Sequence, residues 1–277
     1  MRAVFSTERG MIVMALLHVS FYSRTLERET QMDVILPEAA KGLIGMNGAA
    51  APQCPTLYLL HGMSDDQTIW QRRTSIERYA APYGLAVVMP SVDLGWYTDM
   101  YRGDPYFTFI TRELPAVCRD LFPIMSHRRE DTFAAGLSMG GYGALKCALT
   151  YPDRYAGCIS LSARCSVQNK LKLIENDPGQ IREWQAILGE DLTVQPENDL
   201  YALLSRIQKP AASPRFYVAC GTEDFLYSES VDMSAALRQT FAQVEYEEWP
   251  GVHDWVFWDA AIPRGLNSVL PAEDKAE

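Results

Sequence analysis

Two patterns of apolar and polar positions alternate along the chain, namely short β-branched runs and longer amphipathic stretches. The short runs predict strands at 17–23, 31–36, 56–60, 85–89, 131–137, 157–161, 215–220 and 243–248. The amphipathic stretches predict helices at 68–80, 107–122, 140–150, 228–241 and 254–262. Such alternation is typical of an α/β fold with a mostly parallel central sheet and helices on both faces. The first two strands leave no room for a helix between them, so we expect them to form an antiparallel N-terminal edge.

Two segments depart from this alternation. Residues 37–55 are rich in Pro, Gly, Ala and Asn and are predicted to form a surface loop. The connection at about 162–210 is too long for a simple loop in a compact domain, and it contains helical pieces at 180–188 and 200–207. It forms either a cap beside an active site or a helical elaboration of the core, because periodicity does not separate the two interpretations.

The length of 277 residues favours a single domain, which we place at 14–277 with residues 1–13 as an N-terminal extension. The apolar run Met11–Val19 is too short to span a bilayer, which takes about 20 residues. Glu8 lies just before this run and no A-x-A cleavage site follows it, so a signal peptide is not indicated. We therefore expect a cytoplasmic protein.

Charge and cysteine content narrow the class of partner. The chain has 25 Lys and Arg against 35 Asp and Glu, a formal charge of −10, and its longest basic cluster is His127-Arg128-Arg129. We therefore expect a small-molecule partner, with no nucleic acid and no membrane. The six cysteines and four histidines form no zinc pattern, so no metal is expected. We interpret the cysteines as mostly buried thiols in a reducing compartment, since a chain of this size needs no disulfide framework.

The strongest chemical signal is the segment Gly136-Leu137-Ser138-Met139-Gly140-Gly141. A predicted strand precedes it and a helical pattern follows it, which is the context of a nucleophile elbow. In such a turn the serine has a strained backbone that projects its hydroxyl from the sheet edge. Side chains at 136 and 140 would collide with neighbouring backbone, which explains the glycines. The alternative is a glycine-rich turn in which Ser138 only caps the helix.

A serine nucleophile needs a base, and the base needs an acid that orients it. In the α/β-hydrolase arrangement the acid and then the histidine follow the serine along the chain. His253 alone among the four histidines follows Ser138, so it is the predicted base. Asp224 follows the preceding predicted strand and is the predicted acid, with Glu223 as the alternative. Asp254 is interpreted as the N-cap of the last helix.

Two backbone amides form the predicted oxyanion hole. The first is the N–H of Met139, directly after the nucleophile. The second is the N–H of Met63, in the turn His61-Gly62-Met63-Ser64, where Gly62 permits a close approach of the backbone. His61 precedes the serine and is interpreted as a structural residue that shapes this turn by hydrogen bonds.

Taken together, these motifs resemble the short-chain serine carboxylesterases of the esterase D and tributyrin esterase group, in the α/β-hydrolase superfamily. The matching stretches, spread from about residue 17 to 262, are Leu60–Ser64 through Trp70, Val88–Pro90, Gly95–Asp99, Gly136–Gly143, Cys220–Tyr227 and Gly251–Trp255. The resemblance implies an α/β-hydrolase fold and hydrolysis of short-chain acyl esters without a cofactor. It also implies that Ser138, Asp224 and His253 form the catalytic triad. A homo-oligomer is a further expectation from the family.

The resemblance does not determine the substrate. Relatives include S-formylglutathione thioesterases, carbohydrate acetyl and feruloyl esterases, and acyltransferases, and each of these activities is an alternative. A non-catalytic α/β-hydrolase scaffold used for binding is the alternative outside the enzymes, although intact triad residues argue against it. The aromatic side chains predicted to line the substrate pocket are Trp96, Tyr97, Phe225 and Trp255, with Trp258 nearby.

Overall fold

The computed structural model describes residues 11–40, 53–207 and 213–270. Within these residues, eight strands form one mixed sheet of order β1-β2-β4-β3-β5-β6-β7-β8. The strands are β1 (Met11–Ser23), β2 (Arg28–Ala40), β3 (Thr56–Leu60), β4 (Ala86–Pro90), β5 (Thr132–Leu137), β6 (Gly157–Leu161), β7 (Arg215–Gly221) and β8 (Val244–Trp249). β1 and β2 form an antiparallel hairpin, β2 pairs antiparallel with β4, and all pairs from β4 to β8 are parallel. The predicted α/β fold and its antiparallel edge are confirmed.

Helices connect the parallel strands on both faces of the sheet. The α-helices are α1 (Ile69–Arg73), α2 (Ile76–Ala80), α3 (Tyr106–Thr108), α4 (Leu114–Leu121), α5 (Met139–Thr150), α6 (Val167–Ile174), α7 (Pro178–Leu188), α8 (Leu200–Ser205), α9 (Tyr227–Thr240) and α10 (Trp255–Val269). A π-helical turn, Phe109–Glu113, joins α3 to α4 without a break. Short 3₁₀ turns are formed by Ala81–Tyr83, Arg129–Asp131 and Pro196–Asn198.

The first two strands are longer than the sequence predicts. β1 begins at Met11, six residues before the predicted strand at 17–23, and β2 continues to Ala40. The prediction of a loop at 37–55 is therefore wrong for 37–40, because continuous pairing with β1, from Met11 opposite Ala40 onward, overrides a loop-like composition. Residues 41–52 and residues 1–10 of the predicted N-terminal extension lie outside the described residues.

The predicted helix 68–80 is two helices, so its continuity is wrong. Thr74 is extended, and its hydroxyl donates to the Trp70 carbonyl oxygen at 2.6 Å and accepts from the Ile76 N–H at 3.2 Å. Ser75 N–H donates to the Asp259 carboxylate at 3.3 Å. These side-chain bonds replace the helical ladder between α1 and α2, as Ser, Thr and Asp side chains commonly do.

The apolar core has one layer on each face of the sheet. Leu57 and Leu59 of β3 pack in the layer of α1, α2 and α10, whereas Tyr58 and Leu60 pack in the layer of α4, α5 and α9. Every residue of β3 is buried, as expected for a central strand that is covered on both sides. All six cysteines lie in the described residues and are buried free thiols.

The segment between β6 and β7 lies against the helix that follows Ser138 and against the loop after β4. α8 packs on α5. The carbonyl oxygens of Ile187 and Ala186 accept from the N–H groups of Tyr101 and Arg102 at 3.0 and 2.8 Å. Residues 208–212 are outside the described residues, and the interpretation of 162–210 as a cap stays a prediction. None of the described helices is long and apolar enough to cross a membrane.

Candidate active site

Ser138 occupies a strained turn between β5 and α5. Its φ of 51° and ψ of −114° lie outside the regions that L-residues favour, a strain that costs about 1–3 kcal/mol. A Cβ on Gly136 would lie 2.3 Å from the Gly140 carbonyl carbon, and one on Gly140 would lie 2.3 Å from the Leu60 carbonyl oxygen. Glycine is therefore required at both positions, and the turn has the geometry of a nucleophile elbow.

Three side chains form a continuous hydrogen-bonded chain that starts at this turn. The Ser138 Oγ lies 3.0 Å from Nε2 of His253. Nδ1 of the same imidazole lies 2.8 and 3.1 Å from the two carboxylate oxygens of Asp224. An ionised carboxylate can only accept, so Nδ1 carries the proton and Nε2 is free to accept from the hydroxyl. This arrangement places an unprotonated nitrogen directly against the serine.

Asp224 lies in the turn after β7, with its carboxylate fully buried. Burial alone would raise its pKa, but the hydrogen bonds from His253 and from the Leu226 N–H, at 2.8 Å, outweigh burial and lower the pKa of Asp224. The carboxylate therefore stays charged against the imidazole over the neutral pH range.

The carboxylates of Glu223 and Asp254 flank the same loop, but within the described residues neither forms a hydrogen bond with the His253 imidazole. The exposed Glu223 carboxylate accepts from the Gly251 N–H at 2.6 Å, so it holds the loop that precedes the histidine. The Asp254 carboxylate accepts from the Phe257 N–H at 3.0 Å and caps α10, which confirms its predicted position.

Aromatic rings surround the imidazole of His253. The Trp258 ring lies perpendicular to it at 4.9 Å between centroids, and Trp258 Nε1 donates to the Ser162 hydroxyl at 3.1 Å. The Phe225 ring lies 4.5 Å from the imidazole and is 70% exposed. The imidazole thus contacts one buried ring and one ring that faces solvent.

His61 is a buried structural residue, as the sequence predicts. Its Nδ1–H donates to the Gly62 carbonyl oxygen at 2.7 Å, and its Nε2 accepts from the Val92 N–H at 3.0 Å. Burial lowers the pKa of His61, so the ring is neutral. The Tyr97 hydroxyl donates to the His61 carbonyl oxygen at 2.9 Å. These bonds join the loop after β3 to the loop after β4.

The two predicted oxyanion donors lie on segments that touch. The Gly140 backbone lies against the carbonyl groups of Leu60 and His61, which brings the start of α5 against the turn that holds Met63. Neither the Met139 N–H nor the Met63 N–H donates to an acceptor in the described part of the chain. Both amides are therefore available to an incoming acceptor.

The predicted pocket residues lie in different environments. Tyr97 is fully buried beneath α5, where a Cβ on Gly143 would lie 2.5 Å from its ring, so it supports the loops and does not line an open pocket. Trp96 is 4% exposed and packs on Trp184 at 4.8 Å. Trp255 packs edge-on to Trp70 at 5.2 Å. Phe225 is the one of the four predicted residues that presents an exposed ring beside His253.

Sequence reasoning missed Lys146, a fully buried lysine on α5. Its Nζ donates to the Tyr97 carbonyl oxygen at 3.0 Å and to the Asn198 Oδ1 at 2.7 Å. Burial lowers the pKa of Lys146 to about 7. A signal was present in the sequence, because Lys146 is the one charged residue in an otherwise apolar and glycine-rich helix.

The described residues contain no group of three or more His, Cys, Asp and Glu that could hold a metal. Ser138, His253 and Asp224 are the reactive side chains that the structure joins by hydrogen bonds at this edge of the sheet. These three groups, a strained elbow and two free amides are the parts that acyl transfer through a serine requires.

Comparison with known proteins agrees with this chemistry. A protein family described as "Putative esterase" matches residues 23–269. An acetyl esterase from Caldicellulosiruptor saccharolyticus is 32% identical over 267 residues, which cover 94% of this chain and 100% of that protein.

Two solved structures from Staphylococcus aureus are also similar. The fluorophosphonate-binding serine hydrolase FphF is 36% identical with a TM-score of 0.81, and the match covers 93% of this chain and 99% of that one. The S-formylglutathione hydrolase FrmB is 36% identical with a TM-score of 0.79, covering 94% and 100% of the two chains.

The fold and these relatives define the class: the protein is an α/β-hydrolase-type serine hydrolase that acts on ester bonds. The chain belongs to the esterase family that matches nearly its whole length, as the sequence motifs suggested.

Proposed function

We propose that the protein hydrolyses short-chain acyl esters through a Ser138, His253 and Asp224 triad and an acyl-enzyme intermediate. The observation that carries the proposal is the unbroken hydrogen-bonded chain from the strained serine through the imidazole to a buried carboxylate. The match to an acetyl esterase over the whole of that relative supports a short acyl group.

In the first step the Ser138 Oγ attacks the ester carbonyl carbon while His253 Nε2 takes the hydroxyl proton. The N–H groups of Met139 and Met63 stabilise the oxyanion that develops on the carbonyl oxygen. When the tetrahedral intermediate collapses, the C–O bond to the alcohol breaks and His253 returns the proton to the leaving oxygen. The alcohol departs and the acyl group stays on Ser138.

In the second step a water molecule attacks the acyl-enzyme. His253 Nε2 takes a proton from this water as the water oxygen bonds to the acyl carbon. The bond between the acyl carbon and Oγ of Ser138 then breaks, and His253 returns the proton to Oγ. Asp224 keeps the imidazole in the tautomer with Nδ1 protonated and stabilises the imidazolium that forms in each step. The products are a carboxylic acid and the free enzyme.

Cleavage of S-formylglutathione is the second candidate activity. The same steps apply, with a thiolate as the leaving group in place of an alkoxide. The specific support is the 36% identity to FrmB, which covers 94% of this chain. Transfer of the acyl group to an alcohol in place of water is the related alternative.

The first test is steady-state hydrolysis of p-nitrophenyl esters from acetyl to octanoyl, with Ser138→Ala in parallel. We expect the highest kcat/KM for the shortest acyl chains and a loss on the order of 10⁴-fold in Ser138→Ala. Ser205→Ala, an exposed serine at the end of α8, is the matched control and should keep the wild-type rate.

Two further measurements separate the alternatives. A higher kcat/KM for S-formylglutathione than for the p-nitrophenyl esters would favour the thioesterase, and acyl transfer to added alcohol in preference to water would favour the transferase. Equal rates in wild type and Ser138→Ala, with no fluorophosphonate labelling of Ser138, would refute the triad and favour the non-catalytic scaffold.

A further inference from the structure

A cavity of about 420 Å³ lies at the end of the sheet where the parallel strands begin. Thr132, which opens β5, lines it, whereas Ser138 follows the other end of the same strand. Six residues of strand separate these positions by about 20 Å. The cavity is therefore distinct from the candidate active site.

Four of the eleven residues that line this cavity are arginines, and His127 lines it as well. Arg112 and Arg119 come from the π turn and α4, Arg129 from the turn before β5, and Arg154 from the loop after α5. Asp153 is the one carboxylate in the lining. So many cations in one cavity are notable in a chain whose formal charge is −10.

The arginines of this cavity are not paired with carboxylates in the part of the chain that the structure describes. Arg112, Arg119 and Arg154 form no ion pair with a described carboxylate. The carboxylate of Asp131, the residue directly before β5, is already bonded to Arg128 at 2.8 and 3.1 Å. The positive charge that faces the cavity therefore lacks a bonded carboxylate within the described residues, and Arg154 Nη1 donates only to the Thr111 carbonyl oxygen, at 3.3 Å.

Arg129 has a buried hydrogen-bond donor without an acceptor. Its Nε donates to the Pro152 carbonyl oxygen at 3.0 Å, which fixes the guanidinium in place. Its Nη2 is buried and has no hydrogen-bond partner among the described residues. A guanidinium has only donors, and a buried donor without an acceptor costs free energy, so an acceptor from a ligand would satisfy it.

We propose that this cavity binds a phosphate dianion, either free or as the phosphate group of a small ester. Arginine suits phosphate because its planar fork donates two parallel hydrogen bonds to two phosphate oxygens. The volume is within the range of about 300–1,000 Å³ that is usual for small-molecule sites and leaves room beyond the phosphate itself. Tyr58 and Pro115 supply apolar surface for an organic group.

The test is isothermal titration calorimetry of the full chain at low ionic strength, with orthophosphate, glucose 6-phosphate and glucose as probes. We expect saturable binding of a phosphate probe with a Kd below about 1 mM and no binding of glucose. Tighter binding of glucose 6-phosphate would assign the cavity to a phosphate ester, and equal or tighter binding of orthophosphate would assign it to the free anion.

Variants locate the bound phosphate. Arg119→Gln and Arg129→Gln should each raise the Kd at least tenfold, whereas the exposed Arg238→Gln, which makes the same change in charge near β8, should leave it within twofold. Ser138→Ala should bind as the wild type does. If circular dichroism shows that Arg129→Gln does not fold, the Kd of Arg119→Gln for the phosphate probe alone tests the proposal.

Three results would overturn the proposal. They are the absence of binding by both phosphate probes, the same weakening in Arg238→Gln as in Arg119→Gln, and loss of binding in Ser138→Ala. The last result would place the phosphate in the ester site. None of these measurements depends on ester hydrolysis, so the proposal stands or falls separately from the proposed function.

Discussion

Asp224 and Glu223 are neighbouring carboxylates, but they have opposite surroundings. Asp224 is buried and bonded to Nδ1 of His253, and its pKa is lowered, whereas Glu223 is exposed and bonded to the Gly251 N–H. Consecutive side chains in an extended turn point in different directions, so one of the two can reach the imidazole. The structure thus separates two candidates that the sequence pattern could only rank.

Asp224→Asn should lower kcat on the order of 10²- to 10⁴-fold with little change in KM. The amide can donate to Nδ1, which would then lose its proton to Nε2 and leave no base against Ser138. Glu223→Gln is the matched control, because its carbonyl oxygen still accepts from the Gly251 N–H, and its kcat should stay within about threefold of the wild type. The measurement is kcat on p-nitrophenyl acetate. A larger loss in Glu223→Gln than in Asp224→Asn would reverse the assignment.

The elbow between β5 and α5 depends on close contact between backbone segments. Gly140 is enclosed by the carbonyl groups of Leu60 and His61, so the helix that follows Ser138 is held against the turn that follows β3. Backbone on both sides of this contact cannot move without displacing a strand end. The contact therefore helps to fix where Ser138, the proposed nucleophile, lies relative to the turn that holds Met63, the proposed second oxyanion donor.

Gly140→Ala should lower the free energy of unfolding by about 1–3 kcal/mol and slow the reaction of Ser138 with a fluorophosphonate. The added Cβ would lie 2.3 Å from the Leu60 carbonyl oxygen, so the helix must shift. Gly179→Ala, in the first turn of α7, is the control, because its Cβ would meet only an Asp177 carboxylate oxygen at 3.2 Å. Urea unfolding and labelling rates check both variants. Wild-type stability and labelling in Gly140→Ala would disprove the tight contact.

At the scale of the whole molecule, the sequence predicted what is local in the chain and missed what distant segments create together. The elbow at Ser138 and the chain order of Asp224 and His253 are local signals, because glycine spacing and strand ends can be read directly. The burial of Tyr97 depends on packing beneath α5, and the extension of β2 depends on β1 as a partner. The contact of Tyr97 with α5 joins segments that are distant in sequence, and the pairing of residues 37–40 with the start of β1 spans almost 30 residues, so neither lies within a short window of sequence.

Lys146 joins three distant parts of the molecule. It lies on the helix after Ser138, and its Nζ bonds to Tyr97 in the loop after β4 and to Asn198 between β6 and β7. The Tyr142 hydroxyl donates to the Asn198 carbonyl oxygen at 2.8 Å and reinforces the same junction. The junction thus ties the segment between β6 and β7, which is either a cap or a helical elaboration of the core, to the turn at Ser138.

The buried amine gives this junction a defined pH dependence. Desolvation lowers the pKa of Lys146 from 10.5 to about 7, with Asp99, Cys147 and Glu197 partly opposing the shift. Between pH 7 and pH 10.5, the Lys146 amine is protonated in the unfolded chain but has released its proton in the folded chain. The contribution of Lys146 to the free energy of unfolding therefore rises with pH above about 7 and is constant below the pKa of the folded state.

Lys146→Met should remove the contribution of Lys146 to the pH dependence of the free energy of unfolding. The free energy of unfolding of the wild type minus that of Lys146→Met should increase steadily from pH 7 to pH 9, because the effects of other titrating groups cancel in the difference. Urea unfolding at pH 7, 8 and 9 measures it. Lys172→Met, which removes a lysine at an exposed position on α6, is the matched control and is measured at the same pH values. If the free energies of unfolding of the wild type and of Lys146→Met change in parallel from pH 7 to pH 9, Lys146 keeps its charge in the folded protein. Its bonds to Tyr97 and Asn198 are then those of an ammonium group over this pH range.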